Sequence, residues 1–179
     1  NYLPSDITIL SLYSGQLHTI HSKITKQYPA DHLLRKVRIS TVDNYQGEEN
    51  KIIILSLVRN NHNDQIGFLK ASNRVCVALS RAKQGLFIFG NAQCLRNATV
   101  GKEGEEAERQ EHIWLKVIKI LKERSDIDDH MTLKCNHHSN FTEIRRANDF
   151  DLVPEGGCNE ICSLRLECGH SCESYCHNF

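Results

Sequence analysis

Residues 40–59 read STVDNYQGEENKIIILSLVR, and this stretch decides the fold. Its apolar part, 52–58, has the length of a strand and begins with four aliphatic side chains in succession. A strand of this kind has both faces covered, which is typical of the centre of a parallel sheet with helices on each side. Further strands are predicted in three other runs rich in aliphatic and aromatic side chains, at 7–12, 38–42 and 86–89.

Helical patterns separate these strands. Apolar side chains recur at helical spacing at Leu17, Ile20 and Ile24, and again, before the last strand, at Val75, Ala78, Leu79 and Ala82. Alternating strands and helices predict an α/β fold with a parallel sheet flanked by helices. A further amphipathic stripe between 103 and 123 predicts a helix that packs on this domain, followed by a polar linker.

Three segments at the strand ends carry the motifs of a known family. They are LYSGQ at 12–16, STVDNYQGEE at 40–49 leading to SLVR at 56–59, and VALSRAK at 77–83 with GN at 90–91. In this order and spacing they resemble motifs IV, V and VI of superfamily 1 helicases, most of all those of the up-frameshift RNA helicase group. The resemblance covers about 7–91 and implies the second of the two RecA-like domains of such an enzyme.

The resemblance also implies roles for particular residues. Arg81 matches the arginine finger, and Arg59 matches a second arginine near the same cleft, so both are candidate catalytic residues. The candidate nucleotide-binding residues are Gln46, Gly47 and Glu49, and the candidate nucleic-acid contacts are Tyr13, Gln16 and Thr41. Because ligands of open α/β sheets bind beyond the carboxyl ends of strands, we expect all of these residues near those ends.

The printed sequence contains no phosphate loop of the form GxxxxGK[ST]. In the family, ATP and Mg²⁺ are held by the first RecA-like domain, so this domain is an implied partner together with single-stranded RNA. We therefore expect the chain alone to hydrolyse no ATP and to supply one wall of an ATP site.

Mixed cysteines and histidines predict a metal site near the end of the chain. Six of the eight cysteines fall between 135 and 176, interleaved with histidines. This mixture is typical of zinc in a reducing compartment rather than of disulfides, so we expect an intracellular protein, cytoplasmic or nuclear. The CGHxCx₃CH pattern at 168–177 resembles the X-box-binding zinc-finger family, which implies a role in RNA surveillance, RNA silencing or antiviral defence.

About two structural zinc ions are predicted, since structural zinc takes four ligands. The first expected set is Cys135, His138, Cys158 and Cys162. The second expected set is Cys168, His170, Cys172 and Cys176, with His177 competing for a place. Protein partners are expected to bind through this region.

The predicted organisation is a RecA-like domain at 1–99, a packing helix and linker at 100–128, and a small irregular zinc module at 129–179. No apolar run approaches the ~20 residues of a membrane span. Two other functions stay open. One is a zinc-dependent interaction module such as a RING-like ubiquitin-ligase platform, although the x₃ cysteine spacing here departs from the usual x₂. The other is a DNA helicase, because the choice of RNA depends on 2′-hydroxyl contacts.

Overall fold

The computed structural model describes residues 2–59, 63, 65–100 and 113–177. The chain divides into two compact units, Asn1–Ile120 and Leu121–Phe179. The first unit is built on a four-stranded parallel sheet in the order β2-β1-β3-β4. Its strands are β1 Ile7–Ser11, β2 Arg38–Thr41, β3 Asn50–Ser56 and β4 Ala82–Phe89.

The aliphatic run lies in β3, between β1 and β4, as predicted. Ile53 pairs with Thr8 on one side and with Leu86 on the other, and neither Ile53 nor Leu55 is exposed to solvent. Continuous apolar sequence is stable at this position because both faces of the strand are covered. The predicted α/β class with a parallel sheet flanked by helices is confirmed.

The edge strand β4 begins four residues earlier than the sequence pattern predicts. Ala82, which the apolar spacing places in the helical stripe, pairs with Asn50 and opens the strand. The first residues of β4 include polar side chains, among them the exposed Lys83, which is ion-paired to Glu49. A search for apolar runs therefore does not detect the start of this strand. An edge strand tolerates such residues because one of its sides faces solvent.

Four helices accompany the sheet in the described part of the first unit and its boundary. They are α1 Ser14–Gln27, α2 Ser72–Leu79, α3 Ala92–Val100 and α4 Ile113–Glu123. The buried Trp114 of α4 donates from Nε1 to the carbonyl oxygen of Leu69 at 3.0 Å, which fixes this helix to the first unit. The start of the predicted helix, 103–112, lies outside the described residues. Within them, no helix is long and apolar enough to cross a membrane.

The second unit contains two small antiparallel sheets, where the sequence predicts irregular structure. The strands β5 Met131–Lys134 and β6 Phe141–Ile144 form one sheet, and β7 Gly156–Ile161 and β8 Tyr175–His177 form the other. These strands are short and carry few aliphatic side chains, so sequence patterns do not reveal them. Cysteines on the strands and in the loops between them supply most of the buried side chains of this unit.

Candidate functional site

A cleft of about 690 Å³ lies at the carboxyl ends of β1, β2 and β3. Its lining includes three predicted nucleic-acid contacts, Tyr13, Gln16 and Thr41, and one predicted catalytic residue, Arg59. Four residues from three stretches of the sequence therefore meet at one end of the sheet. This is the place where open α/β sheets bind ligands.

A strained turn directs Arg59 into the cleft. The amide of Arg59 donates to the carbonyl oxygen of Leu57 at 2.7 Å, and Val58 between them has a φ of 66°. A β-branched residue rarely adopts this left-handed conformation, and such strain is common at functional sites. The Arg59 side chain then donates from Nε to the Tyr13 hydroxyl at 2.9 Å, with its guanidinium carbon 4.6 Å from the centroid of the Tyr13 ring.

Two further polar side chains, those of Gln16 and Thr41, line the cleft. Gln16, in the first turn of α1, donates from Nε2 to the Ser56 hydroxyl at 3.3 Å. The Thr41 hydroxyl accepts a hydrogen bond from the amide of Asn44 at 3.1 Å. A hydroxyl that accepts one bond still has its own proton to donate, so Thr41 can shape its turn and also contact a phosphate oxygen.

Arg81 lies at the opposite end of the sheet, immediately before β4. Its guanidinium donates to the carbonyl oxygens of Val77 at 2.9 Å and Glu48 at 3.0 Å, and to the Ser80 hydroxyl at 2.9 Å. A guanidinium has five N–H groups, so three bonds hold it in place and two donors remain for a ligand. The arrangement presents a fixed, charged fork at the amino ends of β3 and β4.

The predicted nucleotide-binding residues lie beside Arg81. Gln46, Gly47 and Glu49 are exposed in the turn that leads into β3. Gly47 has a φ of 83°, a conformation that glycine adopts without strain, so this turn is tight and its backbone is accessible. Glu49 pairs with Lys83 through Oε1 and Nζ at 2.7 Å.

The structure thus separates residues that the sequence motifs place together. The seven-residue strand β3 lies between the Arg81 group and Arg59, which amounts to about 20 Å along the sheet. The expectation that all three motifs approach the carboxyl ends is wrong for the Arg81 group, and Arg59 does not share its cleft. Arg59 instead joins the predicted nucleic-acid contacts.

The second unit holds a buried cluster of three sulfurs and one imidazole. Its members are Cys135, His138, Cys158 and Cys176. The Cys135 and Cys176 sulfurs are 3.6 Å apart, and the His138 Nδ1 atom is 3.4 Å from the Cys158 sulfur. Ligands around tetrahedral zinc are separated by about 3.5–3.8 Å, given the usual metal–ligand bond lengths. The spacing therefore fits a zinc ion and is too long for a disulfide bond.

A second cluster combines Cys162, Cys172 and His177, with His177 Nε2 at 3.6 Å from the Cys172 sulfur. The predicted grouping is therefore corrected: Cys162 and Cys176 exchange places. Consecutive side chains on a strand point to opposite faces, so Cys176 and His177 on β8 cannot serve the same cluster. Cys168 and His170 are exposed and belong to neither group among the described residues.

The charge balance of the first cluster also fits a cation. Burial and the neighbouring Cys135 and Cys158 sulfurs raise the pKa of Cys176 to about 11. Burial raises the pKa of Cys135 too, but hydrogen bonds from the backbone amides of His137 and His138 outweigh it and lower the pKa to about 6. Three thiolates in so small a space need a divalent cation, and thiolate with imidazole is the donor set that suits zinc.

Sequence patterns miss Phe68, which lines the cleft, and Arg74, which contacts the Phe68 ring. Phe68 lines the cleft from a short 3₁₀ helix, Gly67–Lys70, and the guanidinium carbon of Arg74 lies 4.8 Å from the centroid of its ring. The available signal is a phenylalanine directly after a glycine at the end of a polar loop. An apolar residue in that setting is often a contact residue rather than part of the core.

Comparison with known proteins gives one family match. The family model described as "AAA domain" matches residues 1–93. The chain is 45% identical over 179 residues to the human "NFX1-type zinc finger-containing protein 1", an alignment that covers 99% of this chain and 8% of that protein.

Two further relatives match about half of the chain. The "Helicase required for RNAi-mediated heterochromatin assembly 1" of Schizosaccharomyces pombe is 48% identical over 90 residues, which is 50% of this chain and 9% of that protein. "Regulator of nonsense transcripts 1" of Dictyostelium discoideum is 43% identical over 94 residues, 52% of this chain and 7% of that protein. The chain spans less than a tenth of the length of each of these relatives.

Proposed function

Because the chain belongs to the AAA domain family and to the superfamily 1 helicases of the NFX1 type, we propose that it is the second RecA-like half of an ATP-dependent RNA helicase or translocase with an attached zinc module. It supplies one wall of the ATP site and part of the path of a single RNA strand. The first RecA-like domain supplies the phosphate loop and the Mg²⁺ ligands. RNA surveillance, RNA silencing or antiviral defence is the proposed setting.

The observation that carries this proposal is the separation of Arg81 from the cleft. A helicase must bind nucleotide and nucleic acid at distinct places on one rigid domain, so that hydrolysis at one can change contacts at the other. The Arg81 group at the amino ends of β3 and β4 and the cleft at the carboxyl ends of β1 to β3 provide two such places. The sheet between them is the rigid connection.

At the nucleotide side, Arg81 acts on the phosphoryl group that is transferred. Negative charge spreads over the phosphoryl oxygens in the transition state, and a fixed guanidinium stabilises it without reorganisation. The Glu48 and Val77 carbonyl oxygens fix its position. The backbone of the turn at Gln46 and Gly47 contacts the nucleotide, and the Glu49 carboxylate binds the nucleotide sugar.

At the nucleic-acid side, the cleft combines groups that suit a phosphate backbone. Gln16 and Thr41 carry neutral donors, and Arg59 adds a positive charge held on Tyr13. Phosphate contacts of this kind position a strand without reading its sequence. Arg59 is assigned here to RNA binding, because its distance from Arg81 prevents both from serving one phosphoryl group.

The zinc module is proposed to hold about two structural zinc ions and to bind protein partners. Several large apolar side chains of this unit are about half exposed, among them Ile161, Leu164 and Tyr175. This exposure favours a second candidate function, a zinc-dependent protein-interaction platform of which a RING-like ligase module is one form. None of the eight cysteines forms a disulfide bond in the structure, as a reducing, intracellular location would require.

The 179-residue chain can be tested for binding to fluorescein-labelled single-stranded RNA by anisotropy, with DNA of the same sequence as a second arm. We expect salt-dependent RNA binding, negligible ATP hydrolysis, and weaker binding after Gln16→Ala or Thr41→Ala. Gln27→Ala, at the exposed far end of the same helix, is the matched control. ATP turnover by the chain alone, or equal binding by all variants, overturns the proposal. A clear preference for DNA favours the DNA helicase instead.

A further inference from the structure

Two aromatic rings and two guanidinium groups form a row, of which Arg59, Tyr13 and Phe68 line the cleft and Arg74 lies against the Phe68 ring. The Tyr13 and Phe68 ring centroids are 5.6 Å apart with a 42° angle between the ring planes. The guanidinium carbon of Arg59 lies 4.6 Å from the Tyr13 centroid, and that of Arg74 lies 4.8 Å from the Phe68 centroid. The order in space is therefore cation, ring, ring, cation.

Hydrogen bonds and a close backbone contact hold the Tyr13 side chain of this row in place. The Tyr13 hydroxyl donates to the carbonyl oxygen of Ile66 at 3.0 Å while it accepts the bond from Arg59. Gly67 follows with a φ of 50°, and a Cβ atom at this position would lie 2.9 Å from the Tyr13 hydroxyl oxygen. The backbone can come this close to Tyr13 only because residue 67 is glycine. This close contact also sets the position of the next residue, Phe68.

Phe68 contributes little to the core. The adjacent Leu69 on the same 3₁₀ helix is completely buried and accepts the Trp114 hydrogen bond through its carbonyl oxygen, whereas Phe68 is 53% exposed. Its ring forms part of the wall of a cleft whose other lining residues are mostly polar, with Arg59 and Asp43 as the charged ones and Leu12 and Val58 as the apolar ones. An exposed aromatic ring beside polar groups and a cation is the arrangement that single-stranded nucleic-acid sites use, where every base has a face to stack.

We propose that Phe68 is a stacking surface for an unstacked base of a single nucleic-acid strand whose backbone runs past Gln16 and Thr41. The inference rests on the proposed function and adds to it the base contact that phosphate-binding groups alone do not provide. Arg59 and Arg74, at the two ends of the row, keep positive charge next to the stacked base. Arg74 is itself oriented by Asp43, with Nε and Oδ1 3.0 Å apart. Stacking is tolerant of sequence and of sugar type, so RNA and DNA bases are both suitable ligands.

The test uses the 179-residue chain and a fluorescein-labelled U₁₀ RNA, the matching deoxy-T₁₀ strand, and a strand of the same length with abasic sugars. We expect the unchanged chain to bind the base-bearing strands more tightly than the abasic strand. Phe68→Ala and Phe68→Leu should weaken binding of the base-bearing strands by about tenfold. Neither should alter binding of the abasic strand. Phe68→Trp keeps an aromatic ring and should therefore retain the tighter binding of base-bearing strands over the abasic strand.

Phe87→Ala is the matched control, because it removes an exposed phenylalanine from β4, away from the residues that line the cleft. Intact folding is checked through the fluorescence of Trp114, the single tryptophan of the chain. A base preference that survives Phe68→Ala overturns the stacking inference and leaves strand binding intact. Loss of the preference in Phe87→Ala overturns it as well. If the unchanged chain binds none of the strands, the proposed function itself fails, and the stacking inference fails with it.

Discussion

The Nη1 atom of Arg81 donates a hydrogen bond to the carbonyl oxygen of Glu48 at 3.0 Å. Because the Glu48 side chain is ion-paired to Arg38, the turn that carries Glu48 is tied at two points, once through its backbone and once through its carboxylate. Arg81 itself is oriented before any ligand arrives by its own hydrogen bonds to Glu48, Val77 and Ser80. Preorganised charge of this kind is the most effective form of electrostatic catalysis.

In a protein that joins this chain to the first RecA-like domain, Arg81→Ala should lower RNA-stimulated ATP turnover by about 10³-fold or more. RNA affinity should change little, because the cleft is at the other end of the sheet. Arg81→Lys should rescue poorly, since a point charge lacks the planar fork that bonds Val77 and Glu48. Steady-state ATPase assays and anisotropy measure the two effects separately.

Arg38→Ala is the control for this prediction, because it removes an exposed guanidinium that contacts the same turn through the Glu48 carboxylate. Turnover in that variant should stay within a few-fold of the unchanged protein. Near-normal turnover of Arg81→Ala would remove the finger role from Arg81.

Gly67→Ala should destabilise the first unit by about 1–3 kcal/mol, because alanine is strained at a φ of 50° and its Cβ would press on Tyr13 and Arg59. Gly15→Ala is the matched control: it lies in the first turn of α1, and no atom lies within 4 Å of the place that its added methyl group would take. That change should be neutral or stabilise the fold by up to about 1 kcal/mol. Urea unfolding followed by Trp114 fluorescence gives both values, and equal destabilisation by the two changes would contradict the packing described around Gly67.

Cys176→Ser should remove zinc binding at the four-ligand cluster, while Cys168→Ser should leave it unchanged. Cys176 is buried among the other ligands, whereas Cys168 is exposed and outside both clusters. Zinc titration with a competing chromophoric chelator should show a tight site with four protein ligands and a weaker site with three. Equal loss of one site in Cys168→Ser and in Cys176→Ser would instead support the grouping predicted from the sequence, in which both cysteines belong to the second set.

Chelation of zinc should unfold the second unit and leave the first folded. The second unit has few large buried side chains apart from its cysteines, so a metal replaces the missing core. Trp114 is buried in the first unit and reports on that unit. Its emission should stay constant on addition of chelator while the cysteines become reactive to a thiol reagent. A simultaneous change in both signals would indicate a single cooperative unit.

His130 should make the second unit less stable as pH rises above about 6.5. The hydrogen bond to Asp129 raises the pKa of His130, and the charges of Asp128 and Glu143 add to this, while Arg145 opposes it. A raised pKa in the folded state means that protonated His130 stabilises the fold. The contribution is complete below the unfolded pKa and is lost as pH rises through the folded one.

The measurement for His130 compares the zinc-loaded chain with its His130→Asn variant, so that the pH dependence of the metal ligands cancels. The stability difference in urea should be largest near pH 6 and should shrink towards pH 8. A difference that grows with pH would contradict the assignment.

The sheet of the first unit was predictable because its central strand is apolar on both faces. The Ile52–Leu55 run predicts β3, and the helical spacing of Leu17, Ile20 and Ile24 predicts α1. The start of β4 was not predictable from apolar runs, since Lys83 and Gln84 lie on an edge where polar residues are tolerated.

Motif resemblance and residue spacing name candidate site residues, but they do not show how those residues group in space. Arg59 and Arg81 both follow from motif resemblance, yet only the strand order and direction reveal that they lie at opposite ends of the sheet. For the metal ligands, spacing along the chain favoured neighbours such as Cys158 and Cys162. The antiparallel pairing of β7 with β8 instead brings Cys176 to Cys158.

Cys176 and His177 are consecutive residues of β8 and face different metal clusters. A shift of β8 by one residue against β7 would turn each of these side chains to the opposite face, so that His177 could present imidazole where the first cluster has the Cys176 thiolate. In most sheets the apolar face prevents such slippage, but here the neighbouring Tyr175 is about half exposed. We therefore expect metal coordination, rather than hydrophobic burial, to set the alignment of this pair of strands.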